Sequence, residues 1–198
     1  MIVQSAAVCL MSAGILVGGT NHTTEVQPTS ETGYAFLVAR PALPPGGLTV
    51  RVVPETSQLT DATLAAIRQL RVAGLDVRPT ESDTADVTVG DFPAICPTDK
   101  PDVIGSSSPR YRAIDGYTEM QGGRVTLCGR GWTYDDPSGI VAHELGHIVG
   151  LDHSGAFDGV VQVMAAEDGA KRYQTGDLVG LRLIAADSAA LSQAEVDH

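Results

Sequence analysis

The chain has 198 residues, with 13 basic and 24 acidic side chains and a formal net charge of −11. This length allows one domain with a substantial core plus terminal extensions. The acidic balance and the lack of any basic run argue against nucleic acid as a partner, because nucleic-acid-binding surfaces are positively charged. We expect a monomer.

The N-terminus begins with an apolar segment. Residues 6–17 carry no charge, and Gly18, Gly19 and Thr20 follow them. The run is shorter than the about 20 residues of a membrane span and is typical of a secretory signal peptide. No Lys or Arg precedes it, so an uncleaved anchor and a buried helix remain as alternatives. We therefore predict a signal peptide or anchor at residues 1–20 in a secreted protein, with membrane association only if the segment is retained.

Cleavage of that segment would leave two of the three cysteines, because Cys9 lies inside it. Cys96 and Cys128 form an even pair that suits one disulfide in an oxidising compartment. Two buried free thiols are the alternative. A third interpretation, Cys96 as a thiolate that blocks a metal site, has no support in the residues around it.

The folded domain is predicted to begin between the N-terminal segment and the first helix, after a linker. Residues 21–47 are interpreted as a linker or short pro-segment that contains one strand near residues 34–38. The domain is predicted to cover residues 48–191, followed by a tail at residues 192–198. Alternation of apolar and polar residues at 48–53 indicates a strand, and a helix is expected from Thr60 to about Ala73.

Two short strands, at residues 75–78 and 85–89, are predicted to precede a long solvated loop. Residues 91–123 are rich in Pro, Gly, Ser and charged side chains, and we expect the disulfide to hold them. Carboxylates that could bind calcium lie in or near this loop, but their spacing matches no recognisable calcium site, so calcium is possible but unsupported; they are Asp99, Asp102, Asp115, Asp135 and Asp136. No histidine lies between His22 and His143, so a second, structural zinc site is not predicted.

Residues 123–128 are predicted to form a strand, and the helix that follows has a recognisable start. Trp132 and Tyr134 lie between the two, either in the core or at the rim of a cleft. Asp136 can accept a hydrogen bond at the N-cap position, and Pro137 suits the first helical position. The helix is expected to run to about Val149.

The stretch from His143 to His153 has the pattern His-Glu-x-x-His-x-x-Gly-x-x-His. His143 and His147 share one helix face, where two imidazoles can bind one Zn²⁺. Glu144 lies one position off that face, as a general base beside the metal requires. Gly150 permits positive φ, which ends the helix and can return His153 as a third ligand. Three protein ligands leave a position for water, as in catalytic zinc sites. The alternative is a set of ordinary core or surface histidines.

This pattern resembles the zinc signature of the metzincin metallopeptidases, and the order of elements over residues 48–191 resembles the matrixin branch. The resemblance implies an α+β, metzincin-like zincin fold, in which a twisted mixed sheet packs on the active-site helix. It implies that residues 123–128 are the antiparallel edge strand above that helix. It also implies that Met164 forms a Met-turn beneath the zinc ligands, and that Thr175 caps a C-terminal helix that ends near Leu191.

We therefore expect a secreted endopeptidase with one catalytic Zn²⁺ bound by His143, His147 and His153. Glu144 would act as general base on peptide or protein substrates. Two alternatives remain. A zinc-holding binding module without turnover would have no need of Glu144, and a metal-dependent hydrolase would act on substrates other than peptides.

Overall fold

The computed structural model describes residues 32–54, 56–114, 116–166 and 169–196. The predicted signal segment at residues 1–20 and the first part of the predicted linker lie outside these residues. Within the described ranges, no helix is long and apolar enough to cross a membrane.

The described chain combines three α-helices with eight strands and has an α+β architecture. In chain order these are β1 (Ala35–Phe36), β2 (Pro41–Ala42), β3 (Leu48–Val53), α1 (Ser57–Val72), β4 (Val77–Pro79), β5 (Val87–Gly90), β6 (Gly105–Ile114), β7 (Tyr117–Leu127), α2 (Ser138–Val149), β8 (Leu151–Asp152) and α3 (Thr175–Val196). Two short 3₁₀ turns lie at Pro93–Ile95 and Gly129–Thr133.

The main sheet is mostly parallel. β3 lies between β4 and β5, β5 pairs with β7, and β2 also pairs with β7, all in parallel. β6 pairs with β7 in the antiparallel direction and lies at the edge. β1 and β8 form a separate antiparallel pair.

The core lies between this sheet and the helices. α1 buries Leu59, Ala66 and Leu70 at helical spacing, and α2 packs against α1 as well as against β6 and β7. Val141, Leu145 and Ile148 of α2 are buried in the same cluster. Each fully buried aliphatic side chain contributes about 1.5–3 kcal/mol of transfer free energy, so α2 is firmly held by its apolar face.

The prediction that residues 123–128 form the edge strand is wrong. They belong to β7, which has β5 on one side and β6 on the other. The edge strand is β6, which lies inside the stretch predicted as a loop. Its serine-rich sequence lacks the apolar alternation by which a strand is recognised, and pairing with β7 supplies the order that its own sequence does not indicate.

The helix boundaries also differ from the predicted ones. α1 begins at Ser57, because the Thr56 side chain accepts a hydrogen bond from the Leu59 backbone N–H at 3.3 Å and so caps the helix ahead of Thr60. α2 begins one residue after Pro137, with Asp136 Oδ1 accepting the Ser138 N–H at 3.1 Å. α3 extends to Val196, so the first part of the predicted tail is helical.

Part of the predicted linker packs into the same core as the predicted domain. Ala35, Ala42 and Leu43 are buried. β1 pairs with β8, directly before His153. The described residues before Leu48 therefore support the segment that carries the third histidine.

The structure contains the predicted disulfide between Cys96 and Cys128, which are 32 residues apart. It joins the end of the first 3₁₀ turn to the end of β7. Beside it, the Cys128 N–H donates to the Ile104 carbonyl oxygen at 2.9 Å. The segment that leads from Cys96 into β6 is therefore linked to Cys128 at both ends, by the disulfide and by this hydrogen bond. A disulfide indicates an oxidising compartment.

Candidate metal centre

Three imidazole rings converge at the C-terminal half of α2. His143 Nε2 lies 3.2 Å from His147 Nε2 and 3.1 Å from His153 Nε2. One potential ligand nitrogen from each of the three rings lies within 4.8 Å of the other two. The predicted convergence of the three histidines is confirmed.

Backbone carbonyl groups determine which ring nitrogens face one another. His143 Nδ1 donates to the Val163 carbonyl oxygen and His147 Nδ1 to the Leu151 carbonyl oxygen, both at 2.8 Å. A neutral imidazole with its proton on Nδ1 presents a lone pair at Nε2. Two such lone pairs cannot hydrogen-bond to each other, and their arrangement suits a cation bound between them.

The donor set therefore fits a divalent metal. Nitrogen ligands at the corners of a zinc tetrahedron lie about 3.3 Å apart, close to the distances of 3.2 Å and 3.1 Å from His143 Nε2 to the other two Nε2 atoms. Carbonyl partners on the opposite ring nitrogens are the usual support of metal-binding histidines. Neutral imidazole suits zinc, copper, iron and nickel.

Burial keeps two of the rings neutral. The pKa of His147 is well below its usual value because the ring is buried, and because His143 and His153 would repel its charge. Burial, followed by repulsion from His143, lowers the pKa of His153 to about 4, against the opposing effect of Asp152. At neutral pH the 3.8 Å approach of His153 Nδ1 to Asp152 Oδ1 is thus not an ion pair, and both rings are in the form that binds metals.

Gly150 ends α2 as predicted and returns the chain towards the cluster. Its φ is 112°, in the left-handed region, and its N–H donates to the His147 carbonyl oxygen at 3.1 Å. A Cβ atom here would also lie 2.4 Å from Pro41 Cβ. Glycine is therefore required for conformation and for space. After it, β8 pairs with β1, which brings His153 opposite α2.

Met164 lies beneath α2 in a tightly bonded segment. Its side chain is buried, and its carbonyl oxygen accepts the Ser154 N–H at 2.8 Å. The Asp177 carboxylate accepts the N–H groups of Val163 at 2.8 Å and Met164 at 3.3 Å. The two ends of the loop at residues 154–164 are thus hydrogen-bonded to each other, and the second end is also bonded to the start of α3.

Glu144 lies at the junction of α2 and β6 with only 6% of its surface exposed. Burial raises the pKa of its carboxyl group, against the opposing effects of His143 and of the nearby Ser107 hydroxyl. A Cβ atom at Gly105 would lie 2.8 Å from Glu144 Oε1. Neither Gly105 nor Ser107 was identified in the sequence, because both lie in the stretch predicted as a solvated loop.

The other sequence candidates do not join the cluster. In the part of the chain that the structure describes, the three histidines are the one group of three or more His, Cys, Asp or Glu side chains placed to bind a metal. Asp136 instead pairs with Lys171 at 2.7 Å, and Asp115 lies outside the described residues. Trp132 and Tyr134 remain partly exposed.

Comparison of the chain with protein-family models finds no match, and comparison with curated proteins finds none either. Any assignment of function therefore depends on the chemistry of the histidine cluster and the carboxylate beside it.

Proposed function

We propose that the protein is a secreted, zinc-dependent endopeptidase of the metzincin type. The observation that carries this proposal is the buried Glu144 carboxylate, next in sequence to His143, in a site where one ring nitrogen from each of three histidines lies within 4.8 Å of the others. A site that only held a metal would gain nothing from burying a carboxylate next to it, since burial of an ionised group costs free energy. Such a group is retained where it performs chemistry.

His143, His147 and His153 would hold the zinc ion, which the spacing of the signature favours among the metals that imidazole binds. Zinc, when bound, would lower the pKa of a water molecule towards about 7 and polarise the scissile carbonyl group.

Glu144 would act as general base and then as general acid. Its carboxylate would take the proton of the attacking water and deliver it to the leaving amine nitrogen. Burial raises the pKa of this carboxyl group, which suits a group that must both accept and return a proton.

The edge strand favours a peptide over other substrates. β6 contacts α2 along the helix that carries the site, and its pairing partner β7 lies on one side only. The unpaired side of an edge strand presents N–H and C=O groups to which an extended peptide can add as a further strand. A cleavable bond would then lie over α2, near the histidines and Glu144.

The test compares the zinc-loaded protein with its Glu144→Gln variant on a library of fluorogenic peptides, with and without a zinc chelator. We expect one zinc per chain in both proteins. We expect hydrolysis by the wild type that the chelator abolishes and zinc restores, and a kcat lower by at least about 100-fold in the variant. Glu195→Gln, at an exposed position of α3, is the matched control. Full activity of Glu144→Gln, or an inactive zinc-loaded wild type, would contradict the proposal.

A further inference from the structure

Tyr173 lies in the core against α2, in the segment just before α3. Its side chain is only 6% exposed, and its hydroxyl donates a hydrogen bond to the Ala142 carbonyl oxygen at 2.6 Å. A carbonyl oxygen has two lone pairs, so Ala142 can accept this bond in addition to its bond within the helix. The tyrosine is therefore bonded to α2 at the residue that precedes the first histidine of the cluster.

The backbone around Tyr173 is also held by hydrogen bonds. The Tyr173 N–H donates to Gln69 Oε1 of α1 at 2.9 Å. The next N–H along the chain, that of Gln174, donates to Asp177 Oδ2 at 2.9 Å. Because α1 and the first turn of α3 both hold this backbone, the tyrosine hydroxyl has little freedom to move.

The start of α3 also supports the backbone group that bonds to the first histidine. The Asp177 carboxylate accepts the Val163 N–H at 2.8 Å, and the Val163 carbonyl oxygen accepts the His143 Nδ1–H at 2.8 Å. Asp177 thus joins Val163 and the segment of Tyr173 into one hydrogen-bonded unit. This unit makes two hydrogen bonds to adjacent residues of α2, one to a backbone carbonyl group and one to the histidine ring.

The two bonds together fix α2 relative to Val163. Without the tyrosine hydroxyl one of them is lost, and the helix can shift slightly along the unit. Hydrogen bonds weaken as their length and angle depart from the optimum, so such a shift loosens the bond at His143 Nδ1. The Nε2 atom on the other side of the ring then no longer keeps one position.

We propose that Tyr173 is a positioning residue for His143, whose ring it keeps in the orientation in which Nε2 faces the other two histidines. Tyr173 acts through the Ala142 carbonyl group and is not itself a ligand. This inference rests on the metal-binding part of the proposed function, and it does not depend on peptide hydrolysis. Its consequence is a metal affinity that depends on one buried hydroxyl group of the core.

The test uses Tyr173→Phe, which removes the hydroxyl and keeps the ring. The matched control is Thr63→Val, because the buried Thr63 hydroxyl also donates to a helix carbonyl oxygen, that of Leu59, at 2.8 Å. Both partners of the control bond belong to α1, which carries none of the three histidines. Each variant loses one buried hydrogen bond, so we expect the Tm of both zinc-free proteins to fall by about 3 °C.

Zinc affinity distinguishes a positioning role from a merely structural one. In competition with a chromophoric chelator, we expect Tyr173→Phe to bind zinc about 10-fold more weakly than the wild type, as found when the support of a metal-binding histidine is removed. Thr63→Val should stay within about 2-fold of the wild type, since the supports of the ligands are intact. Equal affinities for the two variants would overturn the inference. So would a Tyr173→Phe variant that fails to fold, because the hydroxyl would then be essential to the core.

Cobalt provides a spectroscopic readout of the same effect. The visible absorption of bound Co²⁺ depends on the geometry of its ligands. We expect the spectrum of cobalt-loaded Tyr173→Phe to differ from that of the wild type in band position or intensity, and that of Thr63→Val to match it. Identical spectra for all three proteins would overturn the inference.

The two proposals fail in different ways. A wild type that binds no zinc would overturn both of them. Zinc binding by the wild type without hydrolysis of any peptide would overturn the proposed function alone. Zinc binding and hydrolysis by the wild type, together with an unchanged zinc affinity of Tyr173→Phe, would overturn this inference alone.

Discussion

The sulfur atom of Met164 lies against the backbone of Gly146, one residue before the second histidine of the cluster. A Cβ atom at position 146 would come within 2.4 Å of Met164 Sδ. The Met164 carbonyl oxygen also accepts the N–H of Ser154, which follows His153. This contact therefore connects the helix that carries two of the histidines with the loop that carries the third.

Gly146→Ala should destabilise the protein by about 1–2 kcal/mol, because overpacking beneath α2 outweighs the higher helix propensity of alanine. Adding Met164→Ala should remove the clash, so the double variant loses less stability than the sum of the single ones. Chemical unfolding of the four proteins measures this coupling. Gly139→Ala is the matched control in the same helix, since a Cβ there meets nothing closer than 3.4 Å. Similar losses for the two glycine variants would contradict the steric argument.

Removal of one histidine should abolish the stabilisation of the protein by zinc. His153→Ala leaves two of the three converging nitrogens, and we expect its zinc affinity to fall by more than about 100-fold. Zinc should raise the Tm of the wild type and leave that of the variant unchanged, since a ligand stabilises only the state that binds it. Calorimetric titration and thermal scans with and without zinc check both effects. Equal stabilisation of the two proteins would show that His153 does not bind the metal.

The metal centre could be predicted because its signals are local. His143 and His147 are four residues apart on a helix, and Gly150 supplies a left-handed turn that only a few residue types adopt readily. These relationships depend on helix geometry and on backbone sterics, which short stretches of sequence encode. The same turn predicted that His153 would approach the other two histidines. The pairing of β8 with β1, which supports the chain just before His153, was not predicted.

The surroundings of Glu144 could not be predicted because they depend on long-range pairing. β6 is ordered by its ladder with β7 and by the disulfide, and nothing in its serine-rich stretch distinguishes it from a solvated loop. Gly105 is required only because α2 packs closely against it, and no pattern in the sequence indicates that this packing occurs. The end of α3 at Val196 was missed because polar residues near the terminus lack a strong stop signal.

Loss of the disulfide should weaken both the fold and the site. Replacing Cys96 and Cys128 together by serine is expected to cost about 3–4 kcal/mol in the chain-entropy description, given the loop of 32 residues. The start of β6 would then be held less firmly against Glu144, so activity should fall below that of the wild type at temperatures where both proteins are folded. Thermal scans with and without a reductant provide the control, because only the wild type should respond to the reductant. A double variant as stable as the oxidised wild type would contradict this prediction.

Asp136 should stabilise the start of α2 in a pH-dependent way. Hydrogen bonds from Lys171 and then from Ser138 lower the pKa of its carboxyl group from 3.8 to about 2. Because the folded-state pKa is the lower one, the stabilisation is fully present above the unfolded-state value of 3.8 and is lost as the pH falls towards about 2.

Asp136→Asn should therefore lower Tm by about 2 °C at pH 7 and have no effect near pH 2, as expected for a partly exposed pair that is screened by solvent. Thermal scans across this pH range measure the difference. Asp135→Asn, at the exposed position one residue earlier, is the control and should match the wild type throughout. A Tm difference that persists unchanged at pH 2 would exclude the carboxylate as its source.

The hydrogen bond between Ser154 and Met164 closes the loop that lies between them, which makes this loop suitable for the insertion of foreign peptides. The 2.8 Å hydrogen bond from the Ser154 N–H to the Met164 carbonyl oxygen and the bonds from Val163 and Met164 to Asp177 do not involve the tip of the loop. At the tip, Asp158 and Gly159 have φ values of 55° and 74°, and a Cβ at Gly159 would meet nothing within 4 Å. Foreign peptides inserted there would extend into solvent, so the segment could accept new recognition sequences while the histidines keep their places.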